Sequence, residues 1–187
     1  EAQSGQMHEV GFTLYMDLLE RAVAALKAGR VPDLDRPLDH GPEIDLQSPA
    51  LIPDDYLPDV HSRLILYKRI ASARDAGELR ELQVEMIDRF GSLPDSTKNL
   101  FRLTTLKLQA QKMGIAKVDA GPRGGRIEFG VQTTVHPLTI VKMIQKQPQF
   151  YKLDGADKLK FNLESETADQ RLDLVEKLLT QLATAKP

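Results

Sequence analysis

Apolar residues recur at helical spacing along much of the chain. The clearest case is "ELRELQVEMIDRFGSLPD", residues 78–95, where the apolar stripe of a helix would consist of Leu79, Leu82, Met86 and Phe90. The charged residues gather on the other side of the same helix, and we call them the acidic ridge: Glu78, Glu81, Glu85, Asp88 and Arg89. The pattern predicts a helix that buries one face and exposes a charged one.

Capping residues predict where the helices between residues 59 and 114 begin and end. Asp59 is the expected N-cap of a first helix through residue 73, and Asp75, with Glu78 three residues on, of a second that ends at Gly91. Asp95 is the expected cap of a third helix, which ends at Gly114. Further helices are predicted over residues 137–147 and 168–183, the last with an apolar stripe of Leu172, Val175, Leu179 and Leu182.

The alternation of apolar and polar residues predicts the strands. "GIAKVDA" and "GRIEFG" flank "GPRGG" as one hairpin, and "QFYKL" and "KLKFNL" flank "DGAD" as another. The segment "EIDLQ", residues 43–47, is expected to add a short strand. Hairpins and clustered helices without repeated strand-helix-strand units indicate an α+β fold. We therefore predict a helical cluster packed on a small, mostly antiparallel sheet of two hairpins plus one strand.

A boundary is expected near the start of the chain. From Val10 the apolar residues again follow a helix, which closes at Gly29. The proline-rich and acidic segment that follows has neither a helical nor a strand period. We predict a separate helical segment over residues 1–28, a linker over 29–42 and a domain over 43–187.

The composition of the chain limits the classes of function that it can have. The chain has 187 residues, is 41% apolar and contains no cysteine, which fits a soluble protein of the cytoplasm. No apolar run approaches the roughly 20 residues of a membrane span. A net charge of -2 and the absence of tryptophan argue against a free-standing nucleic-acid-binding domain.

Candidate catalytic and metal-binding groups have simpler interpretations. "GPRGG" joins two predicted strands, so its glycines suit a turn better than a phosphate-binding loop. The four histidines are far apart in sequence, and Asp54, Asp55 and Asp59 lie where aspartate serves turns and caps. A small hydrolase remains a hypothesis without a visible nucleophile. We expect no catalytic residue, metal or cofactor in this chain.

The acidic ridge has two possible roles. A charged helix face is usually just a solvent-exposed surface that keeps the protein soluble. However, the ridge has no lysine at the favoured i+4 positions, only Arg89 four residues after Glu85, and apolar Val84 lies beside Asp88. Such a face would suit a partner that carries arginines.

Three long stretches resemble a known family. "LIPDDYLPDVHSRLILYKRIASA", "ELQVEMIDRFGSLPD" and "GIAKVDAGPRGGRIEF" resemble the C-terminal domain of bacterial transcription-repair coupling factors, in the same order and spacing. The opening "EAQSGQMHEVGFTLYMDLLERAV" resembles the end of that family's translocase portion, with Gln3 in its translocation motif. Without the motor, Gln3 is expected to be inert.

The resemblance implies a regulatory domain of a larger protein. The parent would be an ATP- and Mg-dependent double-stranded DNA translocase that displaces stalled RNA polymerase and recruits the repair protein UvrA. Its C-terminal domain would pack on the N-terminal UvrB-like module and cover the UvrA-binding surface. The resemblance places the contacts at Glu85, Asp88 and Arg89, and we add Glu81 and Val84 from the same helix.

A DNA-binding accessory domain is the alternative. Basic residues on the two hairpins could line one face of the sheet. They are Arg123, Arg126, Lys152, Lys158 and Lys160.

Overall fold

The computed structural model describes residues 41–184, and its helices and strands follow the predicted order. The helices are α1 (Val60–Ala71), α2 (Ala76–Phe90), α3 (Asp95–Lys112), α4 (Pro137–Lys146) and α5 (Ala168–Thr184). The strands are β1 (Glu43–Asp45), β2 (Ile115–Gly121), β3 (Gly124–Phe129), β4 (Tyr151–Leu153) and β5 (Lys158–Phe161). The α+β class is confirmed. Gln3, the helix expected from Val10 and residues 29–40 of the linker lie outside the described residues, so the domain boundaries stay a prediction.

The strands form one sheet in the order β1-β2-β3-β5-β4. β1 runs parallel to β2, and the other pairs are antiparallel. The β2–β3 and β4–β5 pairs are the two predicted hairpins. The mostly antiparallel sheet of two hairpins and one short strand is therefore confirmed.

One face of the sheet forms the larger hydrophobic core with α3, α4 and α5. Successive strand residues point to opposite faces, and the inward ones are apolar. Val118, Ile127 and Leu159 are cross-strand neighbours on β2, β3 and β5, and each is completely buried. The four predicted stripe residues of α5 are also buried against this cluster: Leu172, Val175, Leu179 and Leu182.

A second hydrophobic cluster lies among α1, α2 and α3. α1 contributes Leu66 and Ile70. From α2 come Leu79, Leu82 and Met86, all buried, while Phe90 is half-buried at its edge. α3 belongs to both clusters, since Phe101 packs in this one and Leu106 in the larger one. This helix therefore connects the helical part of the molecule to the sheet.

The "GPRGG" segment is a hairpin turn, as predicted, because its glycines allow neighbouring backbone to approach closely. Gly124 has φ of 143°, and a Cβ there would lie 2.2 Å from the carbonyl oxygen of Phe161. A Cβ on Gly125 would lie 2.0 Å from the carbonyl oxygen of Asp119. Any larger residue would push β3 away from both of its neighbours.

Two of the three predicted aspartate caps are confirmed. Asp59 accepts from the backbone N–H of Ser62 at 3.1 Å, and Asp75 accepts from that of Glu78 at 2.9 Å. The prediction for Asp95 is wrong: Pro94 is the N-cap of α3, and no side chain caps this end. Pro94 already has extended backbone angles, so the helix starts one residue earlier than a capping Asp95 would require. Asp95 instead forms a first-turn ion pair with Lys98 at 3.9 Å.

Candidate interaction surface on helix α2

Helix α2 is held in place from its buried side and from its C-terminal end. The buried leucines and Met86 anchor its inner face. At the C-terminus, the Tyr56 hydroxyl donates to the carbonyl of Gly91 at 2.8 Å and lies 3.3 Å from that of Met86. The Tyr56 ring also meets Phe90 edge-on, with centroids 6.2 Å apart. Tyr56 thus satisfies a carbonyl left free at the helix end and fixes the position of α2.

The segment that carries Tyr56, "LIPDDYLPD", is itself bound to α1. The Tyr67 hydroxyl accepts from the backbone N–H of Ile52 at 2.6 Å, and Arg63 donates to the carbonyl of Leu57 at 2.8 Å. Ile52 and Leu57 are buried in the second cluster. Residues 51–59 therefore form a scaffold that orients α1 and α2 relative to each other.

The five residues proposed as the interface share the outer side of α2. Glu81, Val84, Asp88 and Arg89 are exposed, and Glu85 is partly exposed. We call these five residues the α2 face. The exposed fraction of Val84 is 58%, and that of Ile87, one turn later, is 45%. The α2 face therefore combines charges with accessible apolar side chains.

Glu85 is already paired inside the molecule. Arg69 of α1 lies 2.6 Å from one carboxylate oxygen of Glu85, and Arg89 lies 3.8 Å from the other. The hydrogen bond from Arg69 holds the pKa of Glu85 below its usual value. Arg89 also stands over the Phe90 ring, 4.8 Å from its centroid. Glu85 and Arg89 thus belong to a network that links α1 to α2.

Glu78 is separate from this network. Its carboxylate forms an ion pair with Arg74 at 2.9 Å and accepts from the Arg74 backbone N–H at 2.8 Å. Within residues 41–184, neither Glu81 nor Asp88 has a side-chain hydrogen bond or ion pair. Arg69 and Arg74, which the spacing along α2 did not reveal, thus join Arg89 as cations paired with the ridge. Glu81 and Asp88 are the ridge carboxylates without a partner among the described residues.

Two residues of this surface escaped the sequence argument. Arg69 lies on another helix, and no local spacing relates it to Glu85. Ile87 could have been noticed, because it is apolar yet falls outside the stripe that contains Leu79 and Met86. Its position one turn after Val84 widens the apolar part of the α2 face.

The described part of the chain has no cluster suited to a metal. No group of three or more histidine, aspartate or glutamate side chains there could hold an ion. Within the same residues, no helix is both long and apolar enough to cross a membrane.

The fold and this surface define an α+β domain with a charged helix face open to solvent, and comparisons supply the family. The TRCF domain family model matches residues 46–140, half of the chain. The chain belongs to this family.

Relatives agree with that assignment. The transcription-repair-coupling factor of Escherichia coli K12 is 47% identical over 182 residues, and that of Haemophilus influenzae Rd is 48% identical over 181. In both cases the match covers 97% of this chain and 16% of the relative. The chain thus spans about a sixth of the length of these relatives.

A solved structure shows the same fold. The crystal structure of the C-terminal domain of a transcription-repair coupling factor matches with a TM-score of 0.61 and 24% identity. The match covers 78% of this chain and 96% of that one. The α+β architecture is therefore that of this C-terminal domain.

Proposed function

We propose that this chain is a non-catalytic, autoinhibitory domain of a bacterial transcription-repair coupling factor. The α2 face packs on the N-terminal UvrB-like module of the same protein and masks its UvrA-binding surface. The parent protein is an ATP- and Mg-dependent translocase on double-stranded DNA that displaces stalled RNA polymerase in the cytoplasm. Family membership and the relatives' shared name support this proposal.

The observation that carries the proposal is the pairing pattern on α2. Glu81 and Asp88 are exposed carboxylates without a partner among the described residues, and Val84 and Ile87 lie exposed between and beside them. A helix face whose only role is solubility is expected to be polar throughout, without two neighbouring large apolar residues exposed to solvent. Unpaired carboxylates beside apolar contacts fit a surface that presents arginines, where charge-assisted hydrogen bonds set the orientation.

The rigid mounting of α2 favours the same role. The contacts of Tyr56 and the Arg69–Glu85 pair hold the helix before any partner arrives. A preformed surface loses little conformational entropy when it binds, so a small tethered interface can still form. Glu85 and Arg89 belong to the network that holds α2 against α1. The carboxylates of Glu81 and Asp88 are available to pair with cations of the partner.

The test uses the full-length parent protein with Glu81→Lys and Asp88→Lys together. These changes remove contacts from the closed state only, so the open fraction and the apparent affinity for UvrA rise. If the interface weakens by about 3 kcal/mol, affinity measured without RNA polymerase rises up to about a hundredfold, provided that the closed state dominates.

The matched control is Glu164→Lys with Glu166→Lys. Both residues are exposed in the loop before α5, and the change in net charge is the same. UvrA affinity should stay at the wild-type value in this control. Unchanged affinity in a folded Glu81/Asp88 variant, or an equal rise in the control, would refute the masking role of the α2 face.

A further inference from the structure

The sheet face that points away from α3, α4 and α5 carries a row of positive charge. Cross-strand pairing makes Arg126 of β3 the neighbour of Lys160 on β5, and Lys160 the neighbour of Lys152 on β4. All three side chains are exposed. We call these three residues the basic row.

The basic row is poorly compensated within the molecule. Like charges placed directly opposite each other on a sheet are destabilising. Arg126 is compensated, because Asp154 reaches it at 3.1 Å and Asp119 is its cross-strand neighbour on β2. In contrast, neither the Lys152 nor the Lys160 side chain has an ion pair or hydrogen bond with any residue in 41–184. Lys158 adds another cation on the same face, beside Glu128. A bound anion would relieve this repulsion.

The geometry favours an extended polyanion. Neighbouring strands lie about 4.8 Å apart, so three cations in a row cover about 10 Å of flat surface. A nucleic-acid strand presents one phosphate per about 3.4 Å of helix axis, which places several charges over that distance. Lysine ammonium groups on flexible stems can follow such a backbone without fixed geometry.

The outward residues of β3, β4 and β5 also argue against other partners. They include no aromatic side chain, so there is no platform for the stacking of unpaired bases. They include no apolar side chain either, and protein interfaces depend on buried apolar or aromatic anchors. A surface built from charge alone suits the phosphate backbone of a duplex.

We propose that the basic row binds the phosphate backbone of double-stranded DNA without sequence preference. The β1–β2 half of the same face limits the contact, because Asp45 and Asp119 are neighbours there and repel phosphate. Arg126 is already paired with Asp154, so two phosphate contacts, from Lys152 and Lys160, predict that log K falls with log salt with a slope of about -1.8. This binding is independent of the α2 face and adds to the proposed masking role.

The test is fluorescence anisotropy of a labelled duplex with the 187-residue chain over a series of salt concentrations. The double variant Lys152→Glu/Lys160→Glu should bind at least about tenfold more weakly at low salt, with a salt slope close to zero. The variant Asp45→Asn/Asp119→Asn should bind more tightly, because it removes the repulsion at the other end of the face.

The matched control is Lys142→Glu/Lys146→Glu on α4. Both lysines are exposed and the net charge changes equally, so any general charge effect appears there too. Wild-type affinity in the control supports the proposal, once circular dichroism shows that every variant is folded. Three results would overturn it: no binding at low salt, equal weakening in the control, or equal competition by poly-glutamate, which would indicate an acidic protein partner.

Discussion

At the residue scale, Arg171 is the least expected side chain in the structure. Only 4% of it is exposed, yet no carboxylate in the described part of the chain is within ion-pair distance. It donates to the carbonyl of Leu46 at 2.9 Å, the hydroxyl of Ser165 at 3.1 Å and the carbonyl of Ser165 at 3.2 Å. Ser165 in turn donates its N–H to the carbonyl of Pro122 at 2.9 Å. Arg171 therefore joins α5 to the end of β1 and, through Ser165, to the β2–β3 hairpin.

We expect Arg171→Ala to lower the free energy of unfolding by about 2 to 4 kcal/mol. The substitution leaves buried oxygens of Leu46 and Ser165 without their donors and opens a cavity beside α5. Urea denaturation of the 187-residue chain measures this loss. Arg80→Ala is the control: Arg80 is exposed on α2, so its replacement should change stability by about 0.5 kcal/mol or less. Equal stability of the two variants would contradict the cross-linking role of Arg171.

At the scale of the element, the N-termini of α2 and α3 are built differently. On α2, Asp75 accepts from the N–H of Glu78, and the Glu78 carboxylate accepts from the N–H of Arg74 at 2.8 Å. A regular capping box would use the N–H of Asp75 itself, so this box is displaced by one residue. On α3, Pro94 provides only backbone geometry, and Asp95 follows as the first helical residue.

This difference predicts unequal effects of two similar substitutions. Asp75→Ala removes a side-chain cap and should cost about 1 kcal/mol. Asp95→Ala removes only a favourable interaction with the helix dipole and an exposed pair with Lys98, so it should cost about 0.5 kcal/mol or less. Urea denaturation at neutral pH compares them. A loss for Asp95→Ala as large as that for Asp75→Ala would mean that Asp95 caps α3 after all.

At the scale of the whole molecule, α3 couples two hydrophobic clusters. Phe101 lies in the cluster with α1 and α2, while Leu106 and Ala110 lie in the cluster under the sheet. We therefore expect the two parts to unfold together, because separating them exposes both sides of α3.

Removal of residues 1–30 should leave a single cooperative thermal transition. The described members of the two clusters lie within residues 44–182, and the predicted linker separates residues 1–28 from β1. Differential scanning calorimetry of residues 31–187 measures the transition. Removal of residues 168–187 is the contrast, since it takes away the buried α5 residues and should abolish the transition. If residues 31–187 showed no cooperative transition, the predicted first helix would belong to the core and the proposed boundary would be wrong.

The sequence by itself determined the order and type of the elements, the two hairpins and the α+β class. These features follow from local patterns: helical and strand periods differ, and caps such as Asp59 and Asp75 act within a few residues. The buried stripes of α2 and α5 could be read for the same reason. The sequence also predicted which side of α2 is exposed, but not which of its charged side chains are paired.

Only the tertiary structure decided which charges meet. Arg69 neutralises Glu85 because α1 packs beside α2, and no spacing along the chain encodes that contact. The basic residues of the hairpins were visible in the sequence, but the β3–β5–β4 register places Arg126, Lys160 and Lys152 side by side. Arg171 reaches a carbonyl 125 residues away. Such contacts depend on how distant elements pack and pair, and a pattern along one element carries no information about its neighbours.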